Sequence, residues 1–384
     1  MEKLWKIFEL FVKIVSLNPN YLRINRFFNR ILIFAFLSLI LSLPNPSYSL
    51  LNTNEHFSIE ENMRVKLITE LYIIAVGHVI LKGFYIFLYR DEFYELLDWM
   101  KNLQHREFDA LLQDQVKKYT SMANEYSQKL LRYIVLLYSF AGLSVTVDCL
   151  IYNPVEIVPF IPTSNPSYNV YSYFIQISIS TFAICFMIFY DILPLLTGLH
   201  IICMSFTIRE GVKELKIFRA TEAEEEVSRE KNSRLLKVIH MLHCEFLIQL
   251  NRFCDVFSML ALIQLTTSFL FLLLLLYGTN ELSNTLILKV ALLCAVCEIF
   301  MICFLGQIVA MKTEDIYNDF CQTNWYEMSI ADQKHFLLCL QMAQRNYGLR
   351  AGGIYNIDLN MFLQIIKLAF TYCAIMQTIL NQSY

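Results

Sequence analysis

Seven stretches of this chain stay apolar for about the 20 residues that a helix needs to cross a bilayer's hydrocarbon, and this constrains the fold more than any other feature. They fall near 28–51, 67–89, 130–152, 171–199, 255–277, 286–310 and 361–380. Hydrophobic residues make up 56% of the chain and charged residues 17%, and the apolar residues are gathered in blocks rather than spread as the stripes of a soluble helical protein. The expected fold is therefore all-α, a polytopic membrane protein forming one domain over 1–384. The first block is broken near its end by Pro44 and Pro46. The fourth runs on through His200 toward Phe206, which predicts one helix projecting beyond the membrane.

Lysine and arginine set the orientation. The segments 1–30, 90–129, 207–252 and 311–360 hold 25 of the 31, whereas the alternate loops near 52–66, 153–170 and 278–289 hold only Arg64, Lys66 and Lys289. The bias predicts a cytosolic N-terminus and an extracellular C-terminus. Nothing at the N-terminus follows the order of a removable signal peptide, and its first 16 residues are expected to form an amphipathic surface helix with Leu4, Phe8, Phe11, Val12 and Val15 on one face. Stretches 200–254 and 311–360 carry helical apolar spacing and are expected to form a cytosolic anchor. An inside N-terminus before seven spans is inverted relative to G-protein-coupled receptors. No DRY sequence ends the third block, no NPxxY lies in the last, and no outer cysteine pair is present.

The last block, MFLQIIKLAFTYCAIMQTILNQSY, carries a polar seam. Gln364, Lys367, Thr371 and Thr378 interrupt it at steps of three, four and seven, so they share one helical face. Amides and ammonium groups are costly in hydrocarbon, so such a face meets a partner helix or a water-filled path. Both readings stay open on spacing alone. Glu70, His78, Lys82, Asp148 and Glu298 pose the same problem in other blocks and should pair or face water, with Glu298 a possible partner for Lys82 across helices.

Eleven cysteines are scattered, six inside apolar blocks, and only Cys149 lies near an outer surface, so no disulfide framework is expected. No CxxC pair stands near a histidine pair: a metal site and a cofactor are both unsupported. No catalytic order of nucleophile and base and no phosphate loop emerges, and nucleic acid is not indicated. Internal repeats and matched broken helices, which a polytopic transporter favours, are also not evident.

From the sixth block onward the chain resembles the insect odorant receptor family. The residues that carry the likeness are Gly306, then Ile316 and Tyr317, Trp325 and Tyr326, then Lys334, Leu337 and Leu338. Gln344, Ala351, Gly352 and Gly353 follow, and Leu359, Phe362, Ile365, Ile366 and Lys367 lead into Thr371 and Tyr372. Asp191, His200 and His240 fit the looser pattern upstream. The chain has Phe370 and Thr371 where the family often has Tyr-Ser. It has Thr378, with Gln377 before it, where gustatory receptors and the shared co-receptor usually place glutamine. A ligand-tuning odorant receptor subunit is the form this resembles, with a gustatory receptor channel of the same fold or a polytopic transporter as alternatives. The length of 384 residues leaves no room for the co-receptor's long cytosolic insertion.

The resemblance implies an odorant-gated, non-selective cation channel subunit, not an enzyme, in the plasma membrane of a sensory dendrite. It would form a heterotetramer with the co-receptor around a pore lined by the last helix, surrounded by membrane lipid. Ile375, with Ile379 one turn on, matches the apolar gate position, and Thr371 and Thr378 would line the pore beside it. A small volatile organic ligand would bind in the outer half of the membrane. The residues expected there are Leu71, Ile74 and His78 in the second block, Leu143, Thr146 and Val147 in the third, Phe174, Ser178 and Thr181 in the fourth, and Ala291 and Cys294 in the sixth. For His78 a structural hydrogen bond competes with ligand contact.

Overall fold

A computed structural model gives the structure of residues 40, 59–105, 110, 112–152, 166–217, 225–281, 286–345 and 347–382. The expected first span, apart from Ile40, and the expected N-terminal amphipathic helix lie outside these residues. Eight helices follow in order: α1 (Ile59–Leu88), α2 (Arg90–His105), α3 (Gln113–Tyr152), α4 (Pro166–Ile217), α5 (Glu225–Glu281), α6 (Leu286–Cys321), α7 (Ile330–Ala343) and α8 (Leu359–Gln382). A 3₁₀ turn at Trp325–Glu327 and two short strands, β1 (Arg350–Ala351) and β2 (Tyr355–Asn356), complete the described elements.

Five of these helices contain stretches long and apolar enough to cross a membrane, within α1, α4, α5, α6 and α8. At 1.5 Å per residue the 52 residues of α4 and the 57 of α5 reach roughly 78 and 86 Å, far beyond the ~30 Å of hydrocarbon. Both must project out of the bilayer, and α4 does so as one helix despite Pro194 in its interior. Proline offers no N–H to the carbonyl of Tyr190. One turn on, the Thr197 hydroxyl donates to the Leu193 carbonyl at 2.9 Å and His200 Nδ1 to that of Leu196 at 2.8 Å.

The projecting ends pack through aromatic rings. Phe93 of α2 meets Phe257 of α5 edge to face at 5.6 Å, Phe320 of α6 meets Phe336 of α7 at 5.5 Å, and Trp325 stacks on Phe336. Arg209 of α4 reaches Asp315 and Asp319 of α6, each at 2.7 Å, with Lys312 on the same Asp315. This is a charged clamp between helices whose spans pack side by side.

Two glycines let the chain turn back before α8. Gly352 and Gly353 have φ of 58° and 74°, left-handed conformations that a side chain disfavours, and they close a two-residue antiparallel ladder pairing Arg350 with Asn356 and Ala351 with Tyr355. This small hairpin departs from a purely helical expectation. It is fastened to the bundle: the Gly352 N–H donates to the Ser258 carbonyl of α5 at 3.0 Å. On α6, Gly306 lets the Ile357 carbonyl approach so closely that a Cβ there would stand 2.2 Å from it. Asp358 then caps α8, accepting from the Met361 N–H at 2.7 Å.

Candidate functional site

Five helices bring polar side chains together deep inside the apolar bundle. Lys82 of α1 and Asp191 of α4 form an ion pair at 2.8 Å with 3% and 7% of their side chains exposed. The Tyr138 hydroxyl of α3 donates to the other oxygen of Asp191. Glu298 of α6 accepts from Gln264 of α5. The predicted pairing of Lys82 with Glu298 is thus corrected: both acids surround the lysine, but the direct partner is Asp191, and Glu298 is taken up by an amide on α5.

His78 stands one turn before Lys82 and bonds through Nδ1 to the Thr267 hydroxyl of α5. That hydroxyl already donates to the Ile263 carbonyl at 2.7 Å, so Nδ1 carries the proton and Nε2 is left as an acceptor. Among the described residues, His78 Nε2, Gln264 Oε1 and the Tyr190 hydroxyl are buried with no hydrogen-bond partner. Ligand atoms of His78, Asp191 and Glu298 lie within 4.8 Å of one another. The Lys82 ammonium already supplies the cation such a trio would otherwise attract.

A cleft opens beside this cluster, about 420 Å³ including the part open to the outside, lined by Lys82, Tyr190, Asp191, Pro194, Leu195, Phe257, Leu260, Ala261, Gln264, Glu298, Met301 and Ile302. None of the predicted pocket residues lines it. Two of them stand one helical turn from its lining: His78 precedes Lys82, and Cys294 precedes Glu298. Leu71 and Ala291 come together against a second apolar cluster of Leu67, Leu275, Leu288 and Ala295. Ile74, Ser178 and Cys294 are partly buried, while Thr181 is exposed with its hydroxyl turned to the Ile177 carbonyl. The side chains of Leu143, Thr146, Val147 and Phe174 lie outside the described residues.

Sequence reasoning missed α5 as a contributor. The signal was present in ALIQLTTSF, where Gln264 and Thr267 interrupt an apolar run. Pro194 and Tyr190 were missed too, although a proline inside a spanning block marks a place where backbone polarity is released.

The last helix has two unlike sides. Phe362, Ile365, Ile366, Ala369 and Cys373 are buried or partly buried against α5 and α6. Gln364, Lys367, Thr371, Ile375 and Thr378 are all exposed, and at 3.6 residues per turn they lie about 180° from the buried stripe. Thr371 and Thr378 donate to the carbonyls of Lys367 and Ala374, each at 2.9 Å, which leaves the hydroxyl lone pairs facing outward. Ile375 is 48% and Ile379 61% exposed.

The sequence model of the 7tm Odorant receptor family matches residues 65–370. The chain belongs to the 7tm odorant receptor family. Family membership and the helical fold agree on a multi-pass membrane protein. Among curated relatives, the putative odorant receptor 83c of Drosophila melanogaster is 28% identical over 74 residues, 19% of either chain. The odorant receptor Or1 of Anopheles gambiae is 24% identical over 83 residues, 21% of this chain and 20% of that one. These matches span about a fifth of each relative's length. The solved structure of the olfactory receptor OR5 from Machilis hrabei in complex with eugenol superposes on this receptor with a TM-score of 0.73 at 12% identity, covering 97% of this chain and 98% of that one. At that identity the likeness concerns the fold.

Proposed function

We propose that this chain is a subunit of a ligand-gated, non-selective cation channel that opens when a small volatile organic molecule binds among its outer spans. The observation that carries this reading is the two-sided last helix. Its apolar stripe is spent on its own subunit, and its polar seam is left uncovered in a single chain. A lysine, a glutamine and two threonines are too costly to present to lipid, so the seam calls for a water-filled path shared with other subunits. The eugenol complex of the Machilis hrabei receptor supports a small aromatic or similarly apolar ligand class here.

The ligand site is proposed to be formed by Leu71, Ile74, His78, Leu143, Thr146, Val147, Phe174, Ser178, Thr181, Ala291 and Cys294, with the Lys82–Asp191 cluster as its floor. The unpartnered acceptor on His78 suits a ligand hydroxyl. Movement at the floor has a short route to the pore helix. Gln264 and Glu298 lie six and eight residues from Ser258 and Gly306, the positions on α5 and α6 that hold the hairpin and the start of α8. Ile375, with Ile379, forms the apolar constriction, and Thr371 and Thr378 line the path next to it. The exposed Ile330, Leu337 and Leu338 of α7 suit subunit contacts in an inward-facing anchor built from 200–254 and 311–360. The partner in the heterotetramer is the odorant receptor co-receptor, at the plasma membrane of a sensory dendrite.

Whole-cell current during a panel of volatiles, with this chain alone and beside the co-receptor, tests the reading. A ligand-evoked cation current that requires this chain, and whose closed-state leak or gating changes with Ile375→Ala, supports it. A chain that reaches the surface with the co-receptor and shows no ligand-dependent current across the panel opposes it.

A further inference from the structure

Two contacts hold α7 against α5, and they are in register. The Ser233 hydroxyl of α5 donates to Asp332 Oδ1 of α7 at 2.8 Å, and seven residues on along both helices His240 Nδ1 stands 3.0 Å from Cys339 Sγ. Seven residues make about two turns, so the two pairs share one face of each helix. Asp332 is the centre of the first contact. Its other oxygen accepts from the Ser329 hydroxyl at 2.8 Å, and its N–H donates back to Ser329 Oγ, which caps α7. Ser233 is half-buried in the run REKNSR at 229–234, with Arg229, Lys231, Arg234 and Lys237 exposed around it. We propose that Ser233 is a phosphorylation site for a kinase that selects basic residues beside its serine, and that the added phosphate loosens the first turns of α7 from α5.

The step is a phosphoryl transfer. The γ-phosphorus of a nucleoside triphosphate bonds to Ser233 Oγ, its bond to the bridging oxygen of the leaving diphosphate breaks, and the hydroxyl proton passes to the kinase's base. Ser233 lies in the third turn of α5, close enough to the helix start for fraying to present it to a kinase cleft. Ser329 meets the same carboxylate, but Glu327 stands two residues before it and its nearest basic residue is Lys334, five residues on, so a basic-directed kinase selects Ser233. Phosphorylation removes the hydrogen that Asp332 accepts and puts about −1.5 to −2 of charge in its place. Helix N-termini attract anions, yet the Asp332 carboxylate already takes up this one, and like charges at hydrogen-bond range repel. The first turns of α7 are then released as far as Phe336, which stays anchored between Phe320 and Trp325. The inference rests on the inward-facing anchor proposed above, the side on which nucleoside triphosphates are found.

The full-length receptor, purified in detergent, is incubated with magnesium, ATP and the catalytic domain of protein kinase A or of protein kinase C. Phosphate is mapped by mass spectrometry, and amide hydrogen exchange is then followed along α7. The expected result is phosphate on Ser233, absent from Ser233→Ala. Ser233→Ala loses the bond without gaining charge and should speed exchange in the first turns of α7 by roughly 2–10-fold, the worth of one side-chain hydrogen bond. The phosphorylated receptor should exchange faster still. Asp332→Asn removes the repelling charge, so phosphorylating that variant should no longer speed exchange. No phosphate on Ser233 with either kinase, or a phosphorylated receptor whose α7 exchanges no faster than that of Ser233→Ala, would overturn the proposal. Sidedness is lost in detergent, so such a failure strikes this switch and leaves the channel reading standing.

Discussion

Lys82 and Asp191 meet 2.8 Å apart between α1 and α4, 109 residues from each other in sequence, with almost no exposed side-chain surface. The pair joins the helix that carries His78 to the long helix that carries Pro194. Because both charges are withdrawn from water, losing one strands the other. Lys82→Met should cost about 3–5 kcal/mol and lower the melting temperature of the detergent-purified receptor. Adding Asp191→Leu to Lys82→Met should recover part of the loss, since the carboxylate left without its partner is then gone and Glu298 keeps its bond from Gln264. A double variant as unstable as the single one would mean that the pair is not where the energy lies.

Gly306 is required by a backbone contact rather than by a turn. A methyl group there would sit 2.2 Å from the Ile357 carbonyl oxygen, which cannot swing aside as a side chain can. Gly306→Ala should therefore push the start of α8 away from α6 and cost about 1–3 kcal/mol. Gly77 of α1 has nothing within 4 Å of the same position, and Gly77→Ala should be neutral or stabilising by up to about 1 kcal/mol. Thermal unfolding of the two variants side by side provides the check.

On α7, Phe336 is fully buried between Phe320 and Trp325, whereas Leu338 is 52% exposed. Phe336→Ala should destabilise the chain by about 3–5 kcal/mol. Leu338→Ala should leave its stability within about 0.5 kcal/mol yet weaken assembly with the co-receptor, as read by the share of complex on size-exclusion chromatography. If Leu338→Ala leaves assembly unchanged, the outward face of α7 is not a subunit contact.

These residues also mark what the sequence could and could not reveal. The polar seam of α8 was legible because helical periodicity alone places Gln364, Lys367, Thr371 and Thr378 together. The projection of α4 was legible because its apolar run outlasts a bilayer. Partners across helices were not legible: charge complementarity allowed Lys82 to pair with Glu298, and only the packing of α4 against α1 and α3 gives the lysine to Asp191. The hairpin at Gly352 escaped because its ladder is two residues long and is held mainly by Ser258, 94 residues earlier.

The pore assignment stands or falls on the side of α8 that is uncovered in one chain. The direct measurement is to place cysteine at Thr371 and at Thr378 and apply a small, water-soluble, charged thiol reagent during ligand-evoked current. The native Cys373 is buried on the opposite side, so the unmodified receptor serves as its own control. Progressive block of both variants, with the unmodified receptor unaffected, is the expected result. Currents in both variants that persist unchanged under the reagent would contradict a pore lined by this helix.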